Sequence, residues 1–361
     1  MTVIIDLIAF SLQKSGGVSV YWYEIINRML IQSDSEHLFI EENGQKENIF
    51  RKELKIQENH FSNEKTRLSN YLSRYREINL KISNKNFIFH STYYRTLTKV
   101  VKKRNNVKEV VTVHDFTYEH FSKGLKKWVH CYQKKKAISA ADVVICISEN
   151  TKKDLLYFYP QFSIKDIRVV YNGVSLDYFR IPEIKSENNI SPFLLFVGSR
   201  TDYKNFDFTL KAIAQTKDFH LKIVGGNLND KELLMLNKLI PNRWELYLNI
   251  DNKELNILYN NAFALLYPSS YEGFGIPLVE AMKAGCPFIA LNCSSIPEVA
   301  GNAGFLIETL DVSSFNEAVS CIKKNREEII KRGFVQANNF SWEKCYQEIL
   351  EIYKLIDRQL I

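Results

Sequence analysis

Short apolar runs recur along the chain, separated by longer amphipathic or polar stretches. Residues 3–7 read as a brief buried strand, 9–17 as a loop, and the apolar spacing of 18–30 predicts a helix. Residues 38–40, 87–90, 110–114, 143–147 and 167–170 predict further strands, with helical segments between them. The polar segment 180–192, with Pro182 and Pro192, reads as a linker. Strands then resume at 193–197, 221–224, 244–248, 263–267 and 287–291, and a last helix covers 341–356. Strand and helix alternating in this way predict α/β architecture, with two doubly wound, Rossmann-like domains facing a cleft. The expected division is 1–180, 181–340, and a C-terminal helix within 341–361. In the basic stretch 41–86, Leu68, Tyr71, Leu72, Tyr75 and Ile78 fall on one helical face. That pattern fits a helix packed on its own domain better than one docked on a membrane.

One loop carries the most chemistry. Ser269-Ser270-Tyr271-Glu272-Gly273-Phe274-Gly275-Ile276-Pro277 joins an apolar strand to a helix that continues through Glu280 and stops at Gly285. Proline is tolerated in the first turn of a helix, where amides lack partners anyway. Two glycines let the backbone approach a ligand, and a helix start faces an anion. Glu272 and Glu280, with seven residues between them, suit an anionic group flanked by hydroxyls.

This segment closely resembles the Glu-x7-Glu signature of retaining glycosyltransferases of family four, which have the GT-B fold. Supporting segments resemble that family in order: Gly16-Gly17-Val18, Val113-His114-Asp115, Ile147-Ser148-Glu149-Asn150-Thr151, Tyr171-Asn172-Gly173-Val174, Phe196-Val197-Gly198-Ser199-Arg200 with Lys204-Asn205, and Phe340-Ser341-Trp342. The resemblance implies transfer of a hexose-type sugar from a nucleoside-diphosphate sugar, GDP-mannose or a UDP-sugar, to a hydroxyl. It implies retention of anomeric configuration by front-face attack, with the leaving phosphate oxygen taking the acceptor proton. Glycan or lipid-diphosphate-linked acceptors of bacterial surface polysaccharide (O-antigen or capsule) synthesis fit that implication.

Roles follow residue by residue. Breaking the bond to a diphosphate builds negative charge on the leaving oxygen, which cations and amide donors stabilise. The chain has no Asp-x-Asp pair to hold a divalent ion, so no metal and no cofactor are expected, and Lys204 and Arg200 are the candidate cations. The commoner family pattern puts arginine directly after Gly198; here Ser199 intervenes. The resemblance assigns Glu280 to the ribose hydroxyls, Glu272 and His114 to the donor sugar, and the backbone of Gly273, Phe274, Gly275 and Ile276 to sugar hydroxyls or phosphate. It puts Gly225 beside the nucleoside, with the base near Leu248-Asn249-Ile250, where many relatives have glycine. Gly16 and Gly17 are expected near the diphosphate or the acceptor. Asp115 reads as a helper or turn residue. His90, Tyr94 and Arg95 at another strand end are weaker candidates for touching an acceptor.

Bulk properties narrow the alternatives. A hydrophobic fraction of 45% and a charged fraction of 25% are ordinary for a globular protein. The start lacks a basic head followed by an apolar core, and no run reaches the roughly 20 apolar residues of a spanning helix. The six cysteines form no Cys-x-x-Cys pair and read as reduced core residues of a cytoplasmic protein. The net charge of +7 is uneven: residues 1–175 hold 28 Lys plus Arg against 18 Asp plus Glu, the remainder 20 against 23. An anionic partner of the first domain is implied, a lipid-diphosphate acceptor or an anionic membrane surface, since no nucleic-acid motif interleaves with the charge. A GT-B epimerase or a non-catalytic nucleotide- or glycan-binding protein are the competing readings.

Overall fold

The structure is a computed structural model that describes residues 1–32, 36–41, 47–61, 74–182, 191–216 and 218–360. It comprises two compact units, Met1–Asn172 with Trp342–Ile361, and Gly173–Ser341. The first is built on β1 (Thr2–Asp6), β2 (Glu36–Ile40), β3 (Asn86–Ser91), β4 (Asn106–Val113), β5 (Val143–Cys146) and β6 (Asp166–Val169). All pairings are parallel, in the order β2-β1-β3-β4-β5-β6, with Ile4 opposite both Leu38 and Phe89. The strand order turns back on itself between β1 and β3, so the loops leaving those strands diverge and open a crevice at their carboxyl ends.

The second unit holds β7 (Phe193–Val197), β8 (His220–Val224), β9 (Trp244–Tyr247), β10 (Ala264–Tyr267), β11 (Phe288–Leu291) and β12 (Phe305–Ile307). Its order is β12-β11-β10-β7-β8-β9, again parallel, and the switch point lies between β7 and β10. Leu194, Phe196, Ile223, Leu266 and Ile289 point from this sheet into one buried cluster with Phe206, Leu210, Ile213, Phe315 and Ile322 of the covering helices. Each such side chain, fully buried, contributes about 1.5–3 kcal/mol, and together they hold the strand ends in place.

Three local outcomes differ from the sequence expectations. The loop 9–17 contains a turn of helix, Ala9–Leu12. The first unit closes at Asn172, not at 180, because the segment after it is bonded to the second unit. Tyr178 OH donates to Asn252 Oδ1 at 3.1 Å, Phe179 N to Asn256 Oδ1 at 3.1 Å and Ile181 N to Asn260 Oδ1 at 2.8 Å. These three asparagines occupy successive turns of the helix Asn252–Asn261. Of the proposed helical face at 68–78, Leu68, Tyr71 and Leu72 lie outside the described residues. Ile78 is buried, but in an isolated strand bridge with Leu97 rather than a helix.

The helix Trp342–Asp357 belongs to the first unit and buries Trp342, Cys345, Tyr346, Ile349, Ile352, Tyr353 and Ile356. Among the described residues no helix is long and apolar enough to cross a membrane.

Candidate active site

In the second unit the loops after β7 and β10 meet at the switch point. The β10 loop is shaped by its neighbours before any ligand arrives. Asn205, in a left-handed conformation at φ 51°, donates through Nδ2 to Pro268 O at 2.7 Å and to Ser270 Oγ at 2.6 Å. Ser270 N donates to Tyr203 O at 2.7 Å. From the β11 side, Glu272 N donates to Ser294 Oγ at 3.0 Å, and the fully buried Ser295 Oγ donates to Glu272 O at 2.9 Å and Phe274 O at 3.0 Å. Hydroxyls and amides thereby satisfy carbonyls that a tight loop cannot pair internally.

Gly275 takes φ +100°, which side-chain-bearing residues avoid, and it caps the helix Ile276–Ala284 with Pro277 in the first turn. Gly273, Phe274, Gly275 and Ile276 thus form the turn that brings backbone to the mouth of the sheet. The Phe274 side chain is buried, its ring edge-on to Phe340 at 5.5 Å, so only its backbone is available to a ligand.

Lys204 closes the short helix Asp202–Lys204 and its Nζ ion-pairs with Glu272 Oε1. Tyr267 lies under the lysine, its ring centroid 5.3 Å from Nζ. Burial and the Glu272 carboxylate raise the Tyr267 hydroxyl pKa well above its usual value, so it stays protonated. Glu280, one turn into the capped helix, accepts from Tyr259 OH at 2.9 Å. Burial pushes its carboxyl up to about 7, against the pull of the Tyr259 and Tyr178 hydroxyls. Glu272, Lys204 and Glu280 therefore gather around Tyr267 at the carboxyl end of β10.

Arg200 is engaged differently. Its guanidinium pairs with Glu232 at 3.0 Å and donates to Gly226 O at 2.9 Å and Asn227 O at 2.6 Å, bracing the β7 loop against the β8 loop. Its Nη1 is buried without a hydrogen-bond partner. Gly225 is sterically required, because a Cβ there would lie 2.5 Å from Gly198 O and 3.1 Å from that same Nη1. Asn249 adopts φ 53°, a conformation asparagine tolerates better than most residues.

In the first unit His114 follows β4 directly. Its ring meets Tyr21 edge-on at 5.0 Å, and Tyr21 lies one turn into the helix Gly17–Gln32 that Gly16 and Gly17 open. Burial pushes His114 down to about 4, opposed by Asp115, so the ring is neutral at physiological pH. Its Nε2 is buried with no hydrogen-bond partner among the described residues. Buried polar atoms rarely go unpaired, and an orphan in a native site calls for a ligand, a water or an ion.

Asp115 Oδ1 accepts from Thr117 N at 2.9 Å, the turn role. His90 is a core residue, bonded to Tyr353 OH at 2.6 Å and Thr112 Oγ1 at 2.9 Å, with burial pushing it down to about 3. Tyr94 and Arg95 are buried as well.

Sequence reasoning missed Lys134. This fully buried lysine donates to Asp115 O at 2.7 Å and Glu119 Oε2 at 2.8 Å, fixing the backbone just beyond His114. It also missed Tyr259, Tyr267, Ser294 and Ser295. The Ser294-Ser295 pair between a strand and a helix was the available signal for the last two.

Comparison with known proteins agrees with this layout. Two family models match in tandem, Glycosyltransferase Family 4 over residues 15–178 and Glycosyl transferases group 1 over residues 177–334. The chain is 27% identical over 241 residues to O-antigen chain mannosyltransferase B of Escherichia coli, which takes in 61% of this chain and 62% of that protein. Matches of this kind span about 62% of the length of the curated relatives. Sucrose-phosphate synthase from Thermosynechococcus elongatus superposes with a TM-score of 0.73 over 98% of both chains at 17% identity. Anabaena HepE, solved in complex with UDP and glucose, gives 0.69 over 98% of this chain and 99% of that one, also at 17% identity. At that identity the structural likeness speaks to fold alone. Sheet order, tandem family matches and structural neighbours agree: the chain has the GT-B fold and belongs to glycosyltransferase family 4.

Proposed function

We propose that this protein is a retaining glycosyltransferase that moves a hexose-type sugar from a nucleoside-diphosphate sugar to a hydroxyl of a glycan or lipid-linked acceptor. The carrying observation is the gathering of Lys204, Glu272 and Glu280 around Tyr267 at the β10 edge, on a loop already fixed by Asn205, Ser294 and Ser295. Lys204 leaves Glu272 to meet the diphosphate, and the amides of the 273–276 turn complete its neutralisation. Glu280 accepts from ribose hydroxyls while Tyr259 holds its other oxygen edge. Glu272, released from the lysine, orients the sugar hydroxyls and faces the positive charge of the ring. Neutral His114, with its unpaired Nε2, meets a donor-sugar hydroxyl. Arg200 ties the β7 loop to the β8 loop and offers Nη1 to a phosphate oxygen.

The anomeric C–O bond to the β-phosphate breaks and the acceptor oxygen bonds the same face. The acceptor proton passes to the departing phosphate oxygen. The absence of Asp-x-Asp from the sequence and the presence of Lys204 support a metal-independent reaction. The mannosyltransferase relative favours GDP-mannose as donor, and the UDP complex of the structural neighbour keeps UDP-sugars as the rival. The O-antigen relative and the basic first unit support bacterial surface polysaccharide synthesis with a lipid-linked acceptor, worked on from the inner face of the cytoplasmic membrane.

The test begins by measuring thermal stabilisation with GDP, UDP and dTDP, then follows transfer from the preferred sugar nucleotide. Lys204→Ala and Glu280→Ala are each expected to lower transfer by roughly a hundredfold or more with the fold retained, and a chelator should leave the rate unchanged. A double variant with full activity rejects the assignment. Epimer formed without acceptor would identify an epimerase instead.

A further inference from the structure

The helix Gly124–Ala140 turns an apolar stripe to solvent. Leu125, Trp128 and Tyr132 are 75%, 64% and 56% exposed, and their spacing of three and four residues puts them on one face. The Trp128 and Tyr132 rings stack at 5.7 Å with planes 13° apart, so the exposed surface is continuous. Phe121, 46% exposed, precedes the helix by one further turn's spacing. Single exposed apolar residues are normal, but a contiguous aromatic patch marks an interaction surface.

The surrounding charge identifies the partner. Residues 121–140 contain six lysines and no aspartate or glutamate. Lys134 is buried against Glu119, and Lys136 pairs with Glu77 at 2.7 Å. Lys123, Lys126 and Lys135 are exposed and pair with no carboxylate among the described residues. Protein interfaces are depleted in lysine at their apolar centres. A bilayer surface accepts the combination: tryptophan, tyrosine and leucine enter the headgroup boundary while lysines reach anionic phosphates.

We propose that this face of the helix Gly124–Ala140 docks the first unit on an anionic membrane surface. Lys134, on the opposite side of the same helix, bonds the carbonyl one residue beyond His114. Docking therefore holds the strand end that carries His114 at a fixed depth relative to the headgroups. The inference draws its purpose from a lipid-linked acceptor, but its evidence is the surface alone.

The experiment is co-sedimentation of the full chain with vesicles, without sugar nucleotide. Vesicles of equal parts phosphatidylglycerol and phosphatidylcholine are expected to bind it, phosphatidylcholine alone to bind it poorly, and added salt to weaken binding. The combined Leu125→Ser, Trp128→Ser and Tyr132→Ser variant should bind about tenfold more weakly. The Lys123→Glu, Lys126→Glu and Lys135→Glu variant should lose comparable affinity. Lipids brominated in the acyl chain should quench tryptophan emission of the unaltered protein and not of Trp128→Phe.

The proposal is overturned by absent binding to the anionic vesicles, by undiminished binding of either variant, or by equal quenching in Trp128→Phe. It is likewise overturned by a dimer that the apolar variant dissociates. Failure here leaves transfer to a soluble acceptor mimic intact, and failure of transfer leaves vesicle binding intact, so the two readings stand or fall separately.

Discussion

At the end of β4, polar side chains brace the fold. Lys134 bonds the Asp115 carbonyl, Asp115 caps the turn to Thr117, and His90 on the neighbouring strand is bonded on both ring nitrogens. His114 keeps Nε2 without a hydrogen-bond partner among the described residues. At the end of β10, Asn205, Ser294 and Ser295 hold the loop's backbone, while Glu272 pairs with Lys204 and Glu280 with Tyr259. Two edges of the same fold type, both rich in polar side chains, thus differ in the partner of their loop carboxylates: a backbone amide for Asp115, a lysine for Glu272 and a phenol for Glu280. A carboxylate that ends on backbone is structural. Under the proposed function, Glu272 and Glu280, paired with Lys204 and Tyr259, are the carboxylates that substrate engages.

The sharpest way to break this contrast is to remove one carboxylate from each edge. Glu272→Ala is expected to reduce transfer by about a hundredfold or more with little change in thermal midpoint. Asp115→Asn, which keeps the acceptor for Thr117 N, should change it by less than about threefold. Equal losses would erase the distinction.

The two histidines offer a second, smaller test. His90→Ala removes the partner of Tyr353 OH and leaves Thr112 Oγ1 only its 3.5 Å contact with Tyr21 OH, and should cost about 2–4 kcal/mol in denaturant unfolding. His114→Ala should cost about 1 kcal/mol or less in stability, and lower kcat by about tenfold without altering stabilisation by free nucleotide. A reversed pattern would make His114 the structural residue.

The finest test uses pH. The Glu280 carboxyl is raised to about 7, so the folded chain binds its proton more tightly than the unfolded chain does. Stability tied to this group is complete below the ordinary carboxylate range and is lost as pH rises through about 7. Glu280→Gln should therefore flatten the decline of the thermal midpoint between about pH 4.5 and 7, where wild type loses stability. An unchanged slope would mean that the carboxylate is better solvated than its surroundings imply.

Much of this was legible in the chain. Central strands are buried on both faces, so they appear as unbroken apolar runs, and eleven of the twelve strands among the described residues sit at or within a few residues of those runs. The missed strand, β12, is three residues after Gly304, too short for a pattern. The loop at 269–277 was legible because its backbone geometry demands glycine and proline.

Lys134-Lys135-Lys136 shows what was not legible. Three identical neighbours become a buried brace, an exposed charge and a surface ion pair. Residue type carries no trace of that division; only the helix's rotation against β4 decides it. The grouping of residues 173–181 with the second unit was illegible for a similar reason. The prolines marked a flexible-looking stretch, while the bonds that assign residues 178–181 come from asparagines some 75 positions later.

The helix Trp342–Asp357 completes the core of the first unit from the far end of the chain, supplying the Tyr353 hydroxyl to His90 and the Trp342 ring to Tyr21. A cloned fragment stopping at Asn172 would thus leave an apolar trench and an unpaired imidazole, however well its boundary were chosen. Any dissection into separately produced halves has to carry this segment with the front half, spliced or co-expressed, while residues from Gly173 to Ser341 form one unbroken stretch that can be cut out as a block.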